Sequence, residues 1–284
     1  MMTTRWGLAI LCFASLILTS TAGFALDNDP ALYRLCVGVG TAREAPCGSR
    51  PQGNTQSFRL LTKEYAVALS PTLLAPAETM GINGFQFNVN FATTTINASR
   101  GYWQAGIEDE NPPNSLVVSR IGIRKGLPGS IELGMNTSYL FFSELWMFGV
   151  MAKWAPHEGV DAVPVDFALR GTFNRLIGSS ELVMSTAGLD VVLSKSFGVA
   201  GVVNVSPYVA YSPLWVFSRS NVIDSSPGTR DINGEGDFVF TNQQQRVDRL
   251  TLGLRFITGA FNFTPEVTIA SGQQTYAVNL GADF

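Results

Sequence analysis

The chain has 284 residues, of which 46% are hydrophobic and only 14% charged, with a formal net charge of −3. Charge this sparse is far below the usual quarter of a soluble domain, and so small a net charge excludes nucleic acid or a strongly charged macromolecule as the main partner. No apolar stretch after residue 25 reaches the roughly 20 residues of a membrane-spanning helix, so two classes remain: a secreted β-sandwich or β-helix, or a barrel whose membrane strands carry one apolar residue in two.

At the N-terminus a single charge, Arg5, precedes the apolar run Leu8 to Leu18, and Gly23-Phe24-Ala25 has a small-x-small form. That order is the pattern of a secretory signal peptide, with cleavage expected after Ala25. Cys12 lies inside the apolar run and is not a lipid anchor. An exported chain then keeps Cys36 and Cys47, expected to pair as a structural disulfide because the compartment is oxidising. The only histidine, His157, lies far from both in sequence, so no metal site is expected.

From Gln56 to Leu69, Phe58, Leu61, Tyr65 and Leu69 fall at helical spacings, and Pro71 and Pro76 follow. This predicts a short helix, with a strand as the alternative reading. Residues 26–80 are thus expected to form a periplasmic or lumenal segment before a barrel spanning 81–284.

Period-two alternation marks the rest. Phe85 to Phe91, Arg120 to Arg124, Ile131 to Tyr139, Trp146 to Trp154, Val165 to Arg170, Leu189 to Ser194, Val203 to Ser206, Arg249 to Phe256, Phe261 to Ile269 and Tyr276 to Phe284 each alternate. The fold class predicted is all-β, an antiparallel transmembrane barrel of 10 strands, or 12 if the N-terminal segment adds a pair. Turns at Gly126-Leu127-Pro128-Gly129, Gly178-Ser179-Ser180, Gly198, Gly259 and Ser271-Gly272 are tight, whereas Thr95–Asn114 and Ser218–Gln245 are long. Trp146, Trp154 and Trp215 suit the aromatic girdles at a membrane interface.

The last strand, with Tyr276, Val278, Leu280, Ala282 and Phe284 on one face, resembles the C-terminal strand of Gram-negative outer-membrane β-barrel proteins of porin-like and transporter-like kinds. The resemblance implies residence in the cell outer membrane and an assembly signal at Tyr276 and Phe284. The partners it implies are the barrel-assembly machinery, periplasmic chaperones, and outer-membrane lipids with lipopolysaccharide. Placing Phe284 at the periplasmic rim puts both long loops outside, as such barrels require. The helix before the first strand is also similar to the hatch of fatty-acid-type outer-membrane transporters, although no Asn-Pro-Ala motif accompanies it.

By alternation Arg120, Arg124, Glu132, Lys153, Asp166, Arg170, Asp190, Arg249, Arg255, Glu266 and Asp283 face the lumen. They either pair into a polar core or line a narrow path for small solutes, and their mixed signs predict little ion selectivity. The function expected is a narrow channel or transporter for small or amphipathic solutes, with a structural or adhesive barrel as the alternative. No nucleophile elbow or phosphate loop appears, so neither catalytic residue nor cofactor is expected.

Overall fold

The computed structural model describes residues 27–35, 53–109, 111–156, 165–199, 201–224 and 237–284. The leader, Cys36, Cys47 and His157 lie outside the described residues.

A 3-10 turn at Leu32–Arg34 is followed by helix α1, Thr55–Leu69. Asn54 caps it, Oδ1 accepting from Ser57 N at 3.1 Å. Pro71 disfavours helical geometry at Ser70, whose φ of −63° and ψ of 139° are extended. The chain then runs without regular structure to β1 (Phe85–Thr95), and a short helix α2 (Gly101–Gly106) fills the next loop. Strands β2 (Ser115–Leu127), β3 (Ile131–Leu140), β4 (Trp146–Trp154), β5 (Asp166–Ile177) and β6 (Leu182–Ser194) form an antiparallel meander.

Beyond this the wall is built from broken strands. The short β7 (Phe197–Val199) extends β6 downward. β8 (Val203–Tyr211) and β9 (Leu214–Ser220) both pair with β6 and make one stave, interrupted at Ser212-Pro213. The pair β10 (Ile223–Asp224) and β11 (Asp237–Phe238) lies apart from the wall. β12 (Gln243–Val247) and β13 (Arg249–Thr258) make the next stave, interrupted at Asp248, and pair with β9 and β8 respectively. β14 (Phe261–Ala270) and β15 (Gln273–Asp283) complete the wall, and β15 pairs back onto β1 from Gln86↔Asp283 to Thr94↔Thr275. The cylinder therefore closes with 10 staves. The alternative of 12 is not realised, because residues 55–69 are helical and stand inside the wall.

Closure follows from the sequence pattern. A closed sheet leaves no edge for lipid to strand unpaired, and alternation then sorts side chains along the long strands. Outward, Phe91, Leu133, Val150, Phe173, Leu252 and Leu280 are each at least 47% exposed. Inward, Asn88, Asn90, Arg120, Glu132, Arg170 and Asn279 are buried. Trp146 and Trp154 stand at opposite ends of β4 on the outer face, and Trp215 stacks near Arg246 at 5.9 Å. This is the amphipathic girdle of an interface. At the hairpin between β14 and β15, Ser271 and Gly272 both have positive φ (47° and 87°), the geometry a two-residue turn needs to follow strand twist.

An outward residue near mid-height should reject charge. Val150→Arg is expected to cost about 2–4 kcal/mol, read as a lower midpoint in denaturant unfolding from lipid vesicles; no change would place Val150 away from lipid.

Candidate functional site

The two rims differ. Phe85 N and Phe284 N bond each other's carbonyls at 2.8 Å at one rim, called here the Phe284 rim. The loops after β1, β3, β5, β9 and β14 lie at the other, the loop rim.

The inward face changes character with height. Toward the loop rim it is apolar, with Leu116, Val118, Leu140, Met147, Met184 and Val216 buried. This ring is the socket of α1, whose Phe58, Leu61, Tyr65 and Leu69 are fully buried in the same core. A helix apolar on most sides is stable only when enclosed, and the barrel encloses it. Phe58 stacks on Phe240 at 4.3 Å, and Tyr65 packs on Trp103 of α2 at 5.0 Å. Glu64 is the one acid buried in this layer of the described helix, and α2 and its loop satisfy it. Trp103 Nε1 and Tyr102 Oη each donate to it at 2.6 Å, and Asn97 donates through backbone N and Nδ2 at 3.1 Å. Burial, and next the bond to Glu64, push the Tyr102 phenol above its ordinary value, so it remains a donor. Residues ahead of α1 cap the loop rim: Asn28 N bonds Phe142 O and Glu144 N bonds Asp29 Oδ1.

Replacing Glu64 with alanine leaves the buried Trp103 N–H unmatched, whereas Asn97 and Tyr102 reach solvent. The cost expected is about 2–3 kcal/mol, together with a red-shifted, more quenchable fluorescence contribution from Trp103. Unaltered fluorescence would mean the α1–α2 contact does not depend on this carboxylate.

Below α1 the chain from Ser70 to Glu78 descends through the bore as an irregular strap, with Leu74 at a φ of 49°, and the wall holds it by its backbone. Arg120 Nη2 donates to Ala68 O (2.6 Å) and Ser70 O (3.2 Å). Arg249 reaches Pro71 O, Arg170 reaches Thr72 O and Leu73 O (3.2 and 3.0 Å), and Arg124 reaches Leu73 O. Lys153 Nζ donates to Glu78 O at 2.7 Å and Pro76 O at 3.4 Å. In the opposite sense Leu74 N donates to Glu266 at 2.6 Å and Ala77 N to Ser194 Oγ at 3.0 Å. The two prolines remove donors that the wall would otherwise have to match. An arginine fork carries several donors in a fixed plane, so one side chain serves two successive carbonyls.

The carboxylates brace these cations. Glu132 lies 3.1 Å from Lys153 and 3.9 Å from Arg124, and Asp190 lies 2.5 Å from Arg170 and 3.8 Å from Arg249. Nearer the Phe284 rim Asp283 accepts from Arg255 (2.7 Å), Asn262 (2.8 Å) and Gln86 (2.6 Å). Glu266 also accepts from Tyr208 Oη at 2.6 Å. Small wall residues leave room for the strap: Leu73 and Ala77 pack on Ala155, Ala168 and Ala210, and Leu74 packs on Ala92 and Ala277. At the rim a side chain at Gly126 would overlap the carbonyl of Gly81, where the strap turns toward β1.

Of the eleven charges expected in the lumen, Arg120, Glu132, Lys153, Arg170, Asp190, Arg249, Arg255 and Glu266 are buried and Arg124, Asp166 and Asp283 are half-buried. Eight join the clasp or its braces, Arg255 and Asp283 pair with each other nearer the Phe284 rim, and Asp166, half-buried opposite Ser194, makes no ion pair among the described residues. The binding group of the strap, its main chain, was not expected, nor was the apolar socket. The socket was readable by extending the inward phase: Leu116 and Val118 keep step with Arg120, and Met184 with Asp190. Tyr276 and Phe284 both point outward, 47% and 75% exposed.

The wall is thus a closed, even-numbered antiparallel cylinder with an apolar belt, aromatic rims and a largely polar interior. The fold is that of an outer-membrane-type β-barrel. No helix among the described residues is long and apolar enough to cross a membrane, which says nothing against a barrel.

No protein-family model matches the sequence, and no curated protein does. Among solved structures the chain is similar to the KdgM porin in complex with disordered oligogalacturonate, at 10% identity over 70% of this chain and 99% of that one, with a TM-score of 0.35. It is similar to the N-terminal β-barrel domain of Pseudomonas aeruginosa OprF, at 15% identity over 72% and 99%, TM-score 0.28. A third is Ail, the attachment invasion locus protein of Yersinia pestis, at 10% identity over 72% and 99%, TM-score 0.29. Likenesses this remote assign no ligand or activity to this chain, and they lend nothing to the similarity with hatch-bearing transporters. The barrel rests on its own strand register.

Proposed function

We propose that the protein lies in the outer membrane of a Gram-negative bacterium as a narrow gated channel or transporter for small polar or amphipathic solutes. At rest its own N-terminal segment closes it. The observation that carries this reading is the clasp: the strap is held by main-chain hydrogen bonds to charged side chains of the wall, and belongs to no strand of it. Such a segment can leave without breaking one ladder bond of the barrel. A bore of this width is filled by side chains or holds one small ligand, so a strap suffices to shut it.

Once the strap moves, Arg120, Arg124, Lys153, Arg170 and Arg249 lose their carbonyl partners and face Glu132, Asp190 and Glu266. Five cations against three carboxylates favour anionic solutes, in place of the weak selectivity expected from the sign balance of the whole lumen. Conductance in planar bilayers and solute uptake by liposomes test this directly. Pure, folded protein that never conducts and never takes up a solute would refute it.

A second reading, adhesion through the loop rim, is favoured by the ordered cap that Leu32–Arg34, α2 and β10–β11 build there. Deleting residues 222–236 should then abolish a surface interaction and leave permeability unchanged. No catalytic role is proposed. For assembly, the alternating final strand with Tyr276 and Phe284 is the proposed signal to the barrel-assembly machinery. Periplasmic chaperones and lipopolysaccharide-bearing lipid are the proposed partners before and after insertion.

A further inference from the structure

Between the strap and the wall of β1 to β5 lies a small cavity of about 40 Å³, lined among others by Thr72, Asn90, Arg120, Arg124, Asn136 and Arg170. It is large enough for more than one water molecule, and a halide ion is little larger than a water. Three features distinguish its lining from an ordinary hydrated gap.

First, Arg120 is 2% exposed and forms no ion pair among the described residues; its Nη2 is used on the strap, and among those residues Nε and Nη1 have no partner. Second, Arg170 Nη2 is likewise unpartnered and buried. Third, five cations stand in this layer against three carboxylates: Glu132 lies between Lys153 and Arg124 and Asp190 between Arg170 and Arg249, while Glu266 takes Tyr208 and Leu74 N on Oε2 and, like one oxygen of each of the other two acids, keeps Oε1 without a hydrogen-bond partner among the described residues. This layer thus carries more buried positive charge than its acids neutralise. Uncompensated buried charge is among the costliest features a protein can hold. A water supplies an acceptor for the free guanidinium N–H groups but no charge, whereas a small anion supplies both. The side-chain amides of Asn90 and Asn136, whose Oδ1 atoms are unpartnered, can turn their N–H2 groups to the same point, since the two ends of an amide exchange by rotation.

We propose that this cavity is a binding site for one small inorganic monovalent anion, a halide in practice, held by Arg120 and Arg170 and locking the strap against β1 to β5. The site belongs to the closed state and does not require that the barrel conduct. Its test is crystals of the full chain grown in bromide, with thermal unfolding in detergent measured in chloride and in gluconate at equal ionic strength. The result expected is an anomalous peak within about 3.5 Å of the Arg120 guanidinium, and a melting midpoint several degrees higher in chloride. Arg120→Gln should erase the difference between the two salts. If that variant does not fold, the bromide peak in the unaltered chain decides. Density that is water alone in bromide, with a midpoint indifferent to the anion, would overturn the proposal.

Discussion

Deleting residues 27–78 is expected to convert a barrel that is closed at rest into one that conducts steadily, with conductance raised by more than about tenfold. The deletion removes α1 from its socket and the strap from its clasp, yet touches none of the strand pairings that close β1 on β15. The open bore should prefer anions, because the five freed cations outnumber the carboxylates beside them. Loss of α1 bares the apolar ring of Leu116, Val118 and Met184, so the deleted form should also unfold at lower denaturant. A reversible version avoids that cost. Ala77 N lies 3.0 Å from Ser194 Oγ, so Ala77→Cys with Ser194→Cys, in a chain whose Cys36 and Cys47 are replaced by serine, should tie the strap to the wall. Oxidation should abolish gating events and reduction restore them. Equal conductance for full, deleted and tied chains would separate the strap from permeation.

Replacing Asp190 with alanine should be the most damaging single substitution in the clasp, at about 3–5 kcal/mol. Asp190 is 1% exposed and is the only carboxylate within ion-pair distance of Arg170 and Arg249 among the described residues. Its removal leaves two buried guanidinium groups facing each other without a counter-charge. The pair variant Asp190→Ala with Arg170→Met should recover part of the loss, since much of the cost is the charge left behind. Urea unfolding in detergent, followed by tryptophan fluorescence, reads both. A single-variant loss below about 1 kcal/mol would mean that the pair is solvated.

Much of the barrel was legible because one rule, alternation, governs every stave. Phe85 to Phe91 and Leu250 to Phe256 expose the lipid face in plain order, and each of the ten segments read from the sequence lies in a separate stave. The rule failed where the stave breaks. Ser212-Pro213 and Asp248 interrupt two neighbouring staves at one level, so β9 and β12 are not among the strands read from the sequence, and the loop expected over Ser218–Gln245 overlaps both although they extend the wall beside β6. Glutamines and an arginine in β12, at the loop rim, carry no apolar signature to recover it.

The phase of the charges is legible for the same reason: a buried arginine on a barrel strand has nowhere to go but inward. Their purpose was not legible, because backbone carbonyls leave no trace in a sequence. Arg120, Arg124, Arg170 and Arg249 read as partners for acids; in the structure each gives at least as much to the main chain of residues 68–73 as to a carboxylate. The prolines at 71 and 76 were the available signal. They end the helix and leave the strap with few donors of its own.

The central claim is that Ser70 to Glu78 occupies the bore of the resting protein. Hydrogen exchange of its amides in the folded full chain tests this most directly. Leu74 N and Ala77 N, bonded to Glu266 and Ser194 inside the wall, should exchange as slowly as amides of β1 and β15. Exchange of these two amides at the rate of an exposed loop, while the strands stay protected, would show that the strap lies outside the bore and would contradict the account.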